Sequence, residues 1–174
     1  MALPSTSITP HSVIAKVLHW GFIVVFIYAL TKQLDEVDEL EDFSLLHYEM
    51  AFAVVFLALL AIRFAYMRLT RPTALPDNTP QQTKRLARMV HLGMYGSLAM
   101  IPASGLCIGA LFWMGTKSGL AMDAALLVHE IAVNTTYLLI LGHIAAALYH
   151  RRQRDGIWNA MVPIWREPPD ARAS

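Results

Sequence analysis

The sequence contains one cysteine, Cys107, and it lies in an apolar stretch. No intramolecular disulfide and no multi-cysteine metal site can form. Net charge is nearly absent too, at +1 over 174 residues, so the total charge points to no nucleic-acid partner. A cleavage site is also lacking. The first apolar run, from Val13, contains Lys16 and His19 and passes through Thr31-Lys32-Gln33 into an acidic loop without a small-residue processing motif. It reads as a retained span rather than a signal peptide.

What the chain has in quantity is apolar side chains. They make up 56% of the residues, with a mean hydropathy of +0.44, well above the share of an ordinary soluble domain. Four apolar runs, 13–31, 45–66, 86–113 and 123–150, are each long enough to cross a hydrocarbon core. Pro10 precedes the first run and Ser12 can cap it. Pro72, Pro76 and Pro80 make the second connection a loop, and Gly115 to Gly119 make the third a turn. Pro102 and Gly105 fall inside the third run and predict a kink there, which neighbouring helices tolerate. The expected domain is single, over 1–174, with 1–11 and 164–174 as polar tails and the chain fraying from Arg151.

Charge placement predicts the orientation. Arg68, Arg71, Lys84, Arg85 and Arg88 flank the second connection, and Arg151, Arg152 and Arg154 follow the fourth run. The other two connections carry only Lys32 and Lys117, and the first holds Asp35, Glu36, Asp38, Glu39, Glu41 and Asp42. Basic loops stay cytoplasmic, so both termini are expected inside and the acidic loop outside. The expected fold is all-α, an integral membrane four-helix up-down-up-down bundle in contact with lipid.

Ionisable groups at membrane depth are costly and mark function by default. His129 and His143 lie on the fourth run, fourteen residues apart. That is about 21 Å and four turns, so both rings leave nearly the same face. By depth, His129 matches His47 on the second run, and His143 matches His19 on the first. Each pair suits the two axial positions of a flat macrocycle, giving bis-histidine haem iron. Gly21, Gly142, Ala145 and Ala146 are small enough for such a ring to approach the backbone. The plainer alternative is histidines hydrogen-bonding between helices, which suits one histidine better than two matched pairs. Zinc or non-haem iron fits less well, because no carboxylate or thiol cluster accompanies either level. Spacing alone cannot choose between His19 and His91 for the inner site. His150 lies two turns beyond His143 on the same face, placed to hydrogen-bond a quinone carbonyl or a propionate, or to snorkel to headgroups. Lys16, Arg63 and Arg88 are on the inner side and can pair with propionates, although the positive-inside rule would place them there anyway.

The motifs that carry a resemblance are Lys16-Val-Leu-His19-Trp20, Leu46-His47, Arg63 and Leu86-Ala-Arg-Met-Val-His91. They continue with Ile101-Pro102 to Gly105-Leu106, His129-Glu130, Gly142-His143-Ile-Ala-Ala-Ala-Leu-Tyr-His150 and Arg154-Asp155-Gly156 to Met161-Val162-Pro163. With them the chain, from about residue 12 to 163, resembles the bacterial cytochrome b561 family, the small di-haem membrane proteins that include superoxide oxidase. The resemblance implies two haem b groups with iron ligands His19, His47, His129 and His143. It implies that His91 is not a ligand but lies near a propionate or quinone. It further implies electron transfer across the bacterial inner membrane between a periplasmic donor, superoxide in some members, and ubiquinone. Against superoxide stands the acidic first loop, whose field repels an anion and favours a cationic periplasmic redox protein. The alternative function is a haem-bearing membrane-anchor subunit passing electrons for a partner dehydrogenase or hydrogenase.

Overall fold

The structure is a computed structural model that describes residues 12–32, 37–70 and 79–167, apart from the side chain of Val37. His11, Asp35, Glu36, Arg71, Pro72, Pro76 and the Pro168-Pro169 tail lie outside the described residues. Four helices follow in order, α1 Val13–Leu30, α2 Phe43–Thr70, α3 Gln81–Trp113 and α4 Leu120–Gln153, with a short closing helix α5 Ile157–Met161. A 3-10 helix, Val37–Glu41, lies in the first connection. All four long helices are long and apolar enough to cross a membrane, and together they form the expected four-helix bundle of a multi-pass membrane protein.

Local chemistry sets the ends. Ser12 Oγ accepts from the Ala15 backbone N–H at 3.1 Å and caps α1, and its hydroxyl also bonds that of Tyr66 at 2.7 Å, tying the start of α1 to the end of α2. Asp42 accepts from the Ser44 N–H at 2.8 Å in front of α2. Pro80 fixes the start of α3, whose first turn continues the helix ahead of the apolar run. Gly119, at φ 96°, supplies the left-handed turn that lets α4 begin.

The helices pack in sequence, α1 on α2, α2 on α3 and α3 on α4, with the α3–α4 seam the most extensive. In its most apolar window α3 is 39% buried, against 11% for each of the others, so α3 is the packing hub. One core cluster, at the end carrying the acidic 3-10 helix, gathers Leu40, Leu46, Ile108, Phe112, Met122 and Ala125. A second, further along, gathers Phe22, Phe56, Leu60 and Leu98. Many other large apolar side chains face outward, Leu138 and Leu141 among them. In a bilayer that is the lipid-facing surface. Close helix approach occurs at Gly109, where a Cβ would sit 3.0 Å from Met50 Cγ, and at Gly93, where it would sit 3.2 Å from Leu139 Cδ1. A Cβ on Gly21 or Gly142 would meet nothing within 4 Å, so protein packing does not require those two glycines. Pro102 lies buried inside α3, which continues as one helix from Gln81 to Trp113.

The two ends differ in charge. The acidic end carries exposed Asp38, Glu39, Glu41 and Asp42, and Leu40 anchors this segment in the core. Lys117 bridges to Glu41 at 2.7 Å, joining the two connections at this end. The basic end carries Arg68, Lys84, Arg85, Arg88, Arg151, Arg152 and Arg154. Here the fraying expected from Arg151 gives way to a folded segment. The Arg151 guanidinium lies 3.5 Å from the Trp165 ring centroid and 5.7 Å from that of Trp158. Trp158 Nε1 donates to the Trp165 carbonyl at 3.1 Å, and the Glu167 N–H donates to Asn159 Oδ1 at 2.9 Å. These contacts order the chain as far as Glu167, and Trp20 Nε1 on α1 reaches the Met161 carbonyl at 3.3 Å.

Candidate haem site

The buried face of α4 runs through Met122, Ala125, Ala132 and Thr136, with half-buried His129 and His143 in the same register. Steps of three and four along this line make a heptad-like seam, which keeps one face toward the neighbouring helix over its whole length. Each histidine on it is held differently.

Toward the acidic end, His129 Nδ1 lies 3.0 Å from Ser104 Oγ on α3. The single Ser104 hydroxyl proton has its shortest acceptor in the Met100 carbonyl at 2.6 Å. Its oxygen is then free to accept from the His129 Nδ1–H. The tautomer so fixed leaves Nε2 unprotonated and able to bind a metal. Gly105 sits beside the same ring, its missing Cβ 3.8 Å from His129 Cε1. His47 is set in the same way from its own helix, its Nδ1–H donating to the Phe43 carbonyl at 2.6 Å. It lines a cavity of about 400 Å³ with Met50, Ala51, Val54, Leu106 and Trp113.

Toward the basic end the histidines are arranged differently. Arg63 Nη2 donates to His19 Nδ1 at 2.7 Å. Arginine has no acceptor, so Nδ1 carries no proton here and the neutral ring carries it on Nε2. The guanidinium is half-buried, and its carbon lies 5.6 Å from the ring centroids of both Phe22 and Tyr95. His91 Nδ1–H donates to the Ala87 carbonyl at 2.6 Å, and the His91 ring meets that of His143 edge-on, with centroids 5.4 Å apart. His150 Nδ1 pairs with Asp155 Oδ2 at 2.6 Å. Lys16 is half-buried, one turn before His19 on α1. Of the residues singled out in the sequence, the structure thus joins Arg63 to His19 and His91 to His143. It adds Ser104 and Tyr95, which the sequence did not mark, and gives Asp155, quoted there only within the closing motif, a partner in His150.

One polar atom on the α4 seam is unexplained by packing. Thr136 is 1% exposed, and its Oγ1 has no hydrogen-bond partner among the described residues. A buried unmade hydrogen bond costs about 1–3 kcal/mol.

The model of the prokaryotic cytochrome b561 family matches residues 10–163. The chain belongs to the prokaryotic cytochrome b561 family. Neither the curated proteins nor the solved structures give a match to it. Family membership makes this b561 protein a membrane haem b electron-transfer protein. The donor set fits such a group. Among the described residues no three His, Cys, Asp or Glu side chains converge to hold a bare metal ion. Haem b asks for imidazole ligands, and this b561 chain offers His47 and His129 with Nδ1 on an oxygen and Nε2 left over, as well as cations at the basic end for the propionates.

Proposed function

We propose that this protein is a di-haem b-type cytochrome that carries electrons across the inner membrane between a donor at the acidic face and ubiquinone at the basic face. The observation that carries this reading is the placement of His129 and His143 on one buried seam of α4 in a chain of this family. His47 and His129 are assigned as iron ligands toward the acidic end, and His19 and His143 toward the basic end. Bound there, haem b supplies reversible one-electron chemistry.

The protein's own residues do the orienting. The Phe43 carbonyl and Ser104 hold His47 and His129 with Nε2 presented. Arg63 holds His19 the other way round, so presenting Nε2 requires Arg63 to leave Nδ1, and a propionate is the anion that draws it away. Lys16 is close enough along α1 to share that charge. His91, beside His143, is assigned to a propionate or the quinone rather than to iron. His150, braced by Asp155, is assigned to a quinone carbonyl. The positive-inside rule places the basic end, and both termini, in the cytoplasm.

The acidic end supports a cationic periplasmic redox protein as donor in preference to superoxide. Its exposed carboxylates stand on a segment anchored by Leu40. Their field repels an anion and attracts a basic partner. The same anchored surface supports a second reading, in which the chain is the membrane anchor of a partner dehydrogenase or hydrogenase.

The first test is a haem count on the purified protein, with optical and electron paramagnetic resonance spectra. Two low-spin bis-histidine haems per chain are expected, and a single haem or a high-spin centre overturns the assignment. Stopped-flow mixing with superoxide separates the donors. Slow reduction that accelerates with salt is expected, because salt screens the acidic surface.

A further inference from the structure

We propose that Thr136 sets the redox potentials of both histidine levels through a hydroxyl dipole free to turn in the gap between them. The inference rests on the two-haem reading and goes beyond it, since Thr136 is not a ligand in that reading.

Thr136 follows His129 by seven residues and precedes His143 by seven. On an α-helix that places it about 10 Å along the axis from each, on the same face. It is among the most deeply buried side chains in the molecule. A threonine hydroxyl inside a helix ordinarily donates to the carbonyl one turn back. Here Oγ1 has no partner among the described residues, so nothing fixes the direction of its O–H bond.

The facing helix offers it no fixed partner. Gly93 opposes Leu139, and Ser104 opposes His129. The antiparallel register between these contacts sets Thr136 against Gly96 and Ser97. Gly96 carries no side chain and is exposed, and the buried Ser97 hydroxyl is already directed at the Met94 carbonyl at 3.3 Å.

An unfixed dipole in a low-dielectric interior follows the local charge. Reduction at either level adds one negative charge. The hydroxyl hydrogen turns toward it and stabilises the reduced form, which raises the potential. Thr136 stands seven residues from each histidine, so the effect reaches both levels.

The test is a spectroscopic redox titration of the full-length protein, comparing wild type, Thr136→Val and Thr136→Ser. Valine keeps the branched shape and removes the hydroxyl, whereas serine keeps the hydroxyl and removes a methyl. Thr136→Val should lower both midpoint potentials while haem content and the bis-histidine spectrum stay unchanged. Thr136→Ser should keep the wild-type potentials, although it disturbs the packing more. Unmoved midpoints in Thr136→Val, or an equal shift in Thr136→Ser, overturn the proposal. If wild type carries two haems and the midpoints do not move, only this inference falls. If wild type carries fewer than two, the two-level reading falls and this inference with it.

Discussion

The two ends of the bundle handle their histidines in opposite ways. Toward the acidic end, His47 and His129 each have Nδ1 on an oxygen, the Phe43 carbonyl and Ser104 Oγ, and so present Nε2 without rearrangement. Toward the basic end, His19 has its Nδ1 on Arg63, and His91 competes for the space beside His143. On the proposed assignment the acidic level is preset for haem iron, whereas the basic level has to exchange a partner first. A fixed orienting group costs nothing at the moment of binding. An exchangeable one makes binding conditional on what replaces it.

The largest effects that break this comparison come from the ligands. His129→Ala should abolish one haem and His143→Ala the other, each leaving its counterpart, as read by haem content and the Soret band of the purified protein. His91→Ala should retain both. Loss of a haem in His91→Ala, with both kept in His19→Ala, reverses the assignment at the basic level and makes that level as preset as the acidic one, since His91 already donates through Nδ1.

Arg63 comes next. Arg63→Leu removes the group that holds His19 and the cation available to a propionate. A hydrogen bond to a charged group contributes about 1.5–3 kcal/mol. Haem at the basic level should therefore bind roughly ten- to a hundredfold more weakly, while the acidic level is unchanged. Arg63→Lys should fall between, because lysine keeps the charge but not the two-pronged geometry. Equal loss at both levels would point to a folding defect in place of a partner exchange.

Ser104→Ala tests the acidic side of the comparison with a smaller effect. It leaves the Met100 carbonyl its ordinary helical bond but takes the acceptor from His129 Nδ1. A neutral hydrogen bond contributes about 1 kcal/mol, so haem at this level should be held a few-fold more weakly. The imidazole also becomes a poorer electron donor to iron, so the potential of that haem alone should rise.

How much of this could be read in the chain differs between the same two levels. The four spans were legible because a bilayer demands long apolar runs. Their ends moved outward by a few residues wherever a polar first turn continues the helix past the apolar run, as before Leu86 in α3. Family membership was also legible, from motifs that hold together only in order. Ser104 was not, since a serine in an apolar run reads as a small helical residue until the α3–α4 register brings it to His129. The choice between His19 and His91 stayed open for the same reason, because depth is a coordinate along the bundle and ligation depends on the direction across it. The folded tail was hidden because Arg151 looks like a solvated charge until Trp158 and Trp165 are brought onto it. The shared face of His129 and His143 on α4, by contrast, was legible from their spacing of fourteen residues, whereas Thr136 between them drew notice only through its burial.

The smallest expected effect concerns the acidic surface itself and whether it is a fixed feature of that end. The Lys117 hydrogen bond and charge hold the Glu41 carboxyl below its ordinary range. Bonds from the Ser44 hydroxyl and backbone do the same for Asp42 in front of α2. Carboxyls whose folded values are depressed contribute stability above the ordinary carboxylate range and lose it as pH falls through the folded value. Amide hydrogen exchange over Val37–Asp42, corrected for the intrinsic pH dependence of exchange, should therefore stay constant from neutral pH down to the ordinary carboxylate range and quicken only below it. Glu41→Gln should quicken it modestly at neutral pH, with the difference shrinking at high salt because the pair is exposed. Exchange unchanged by both acid and Glu41→Gln would mean that Leu40 alone fixes the segment.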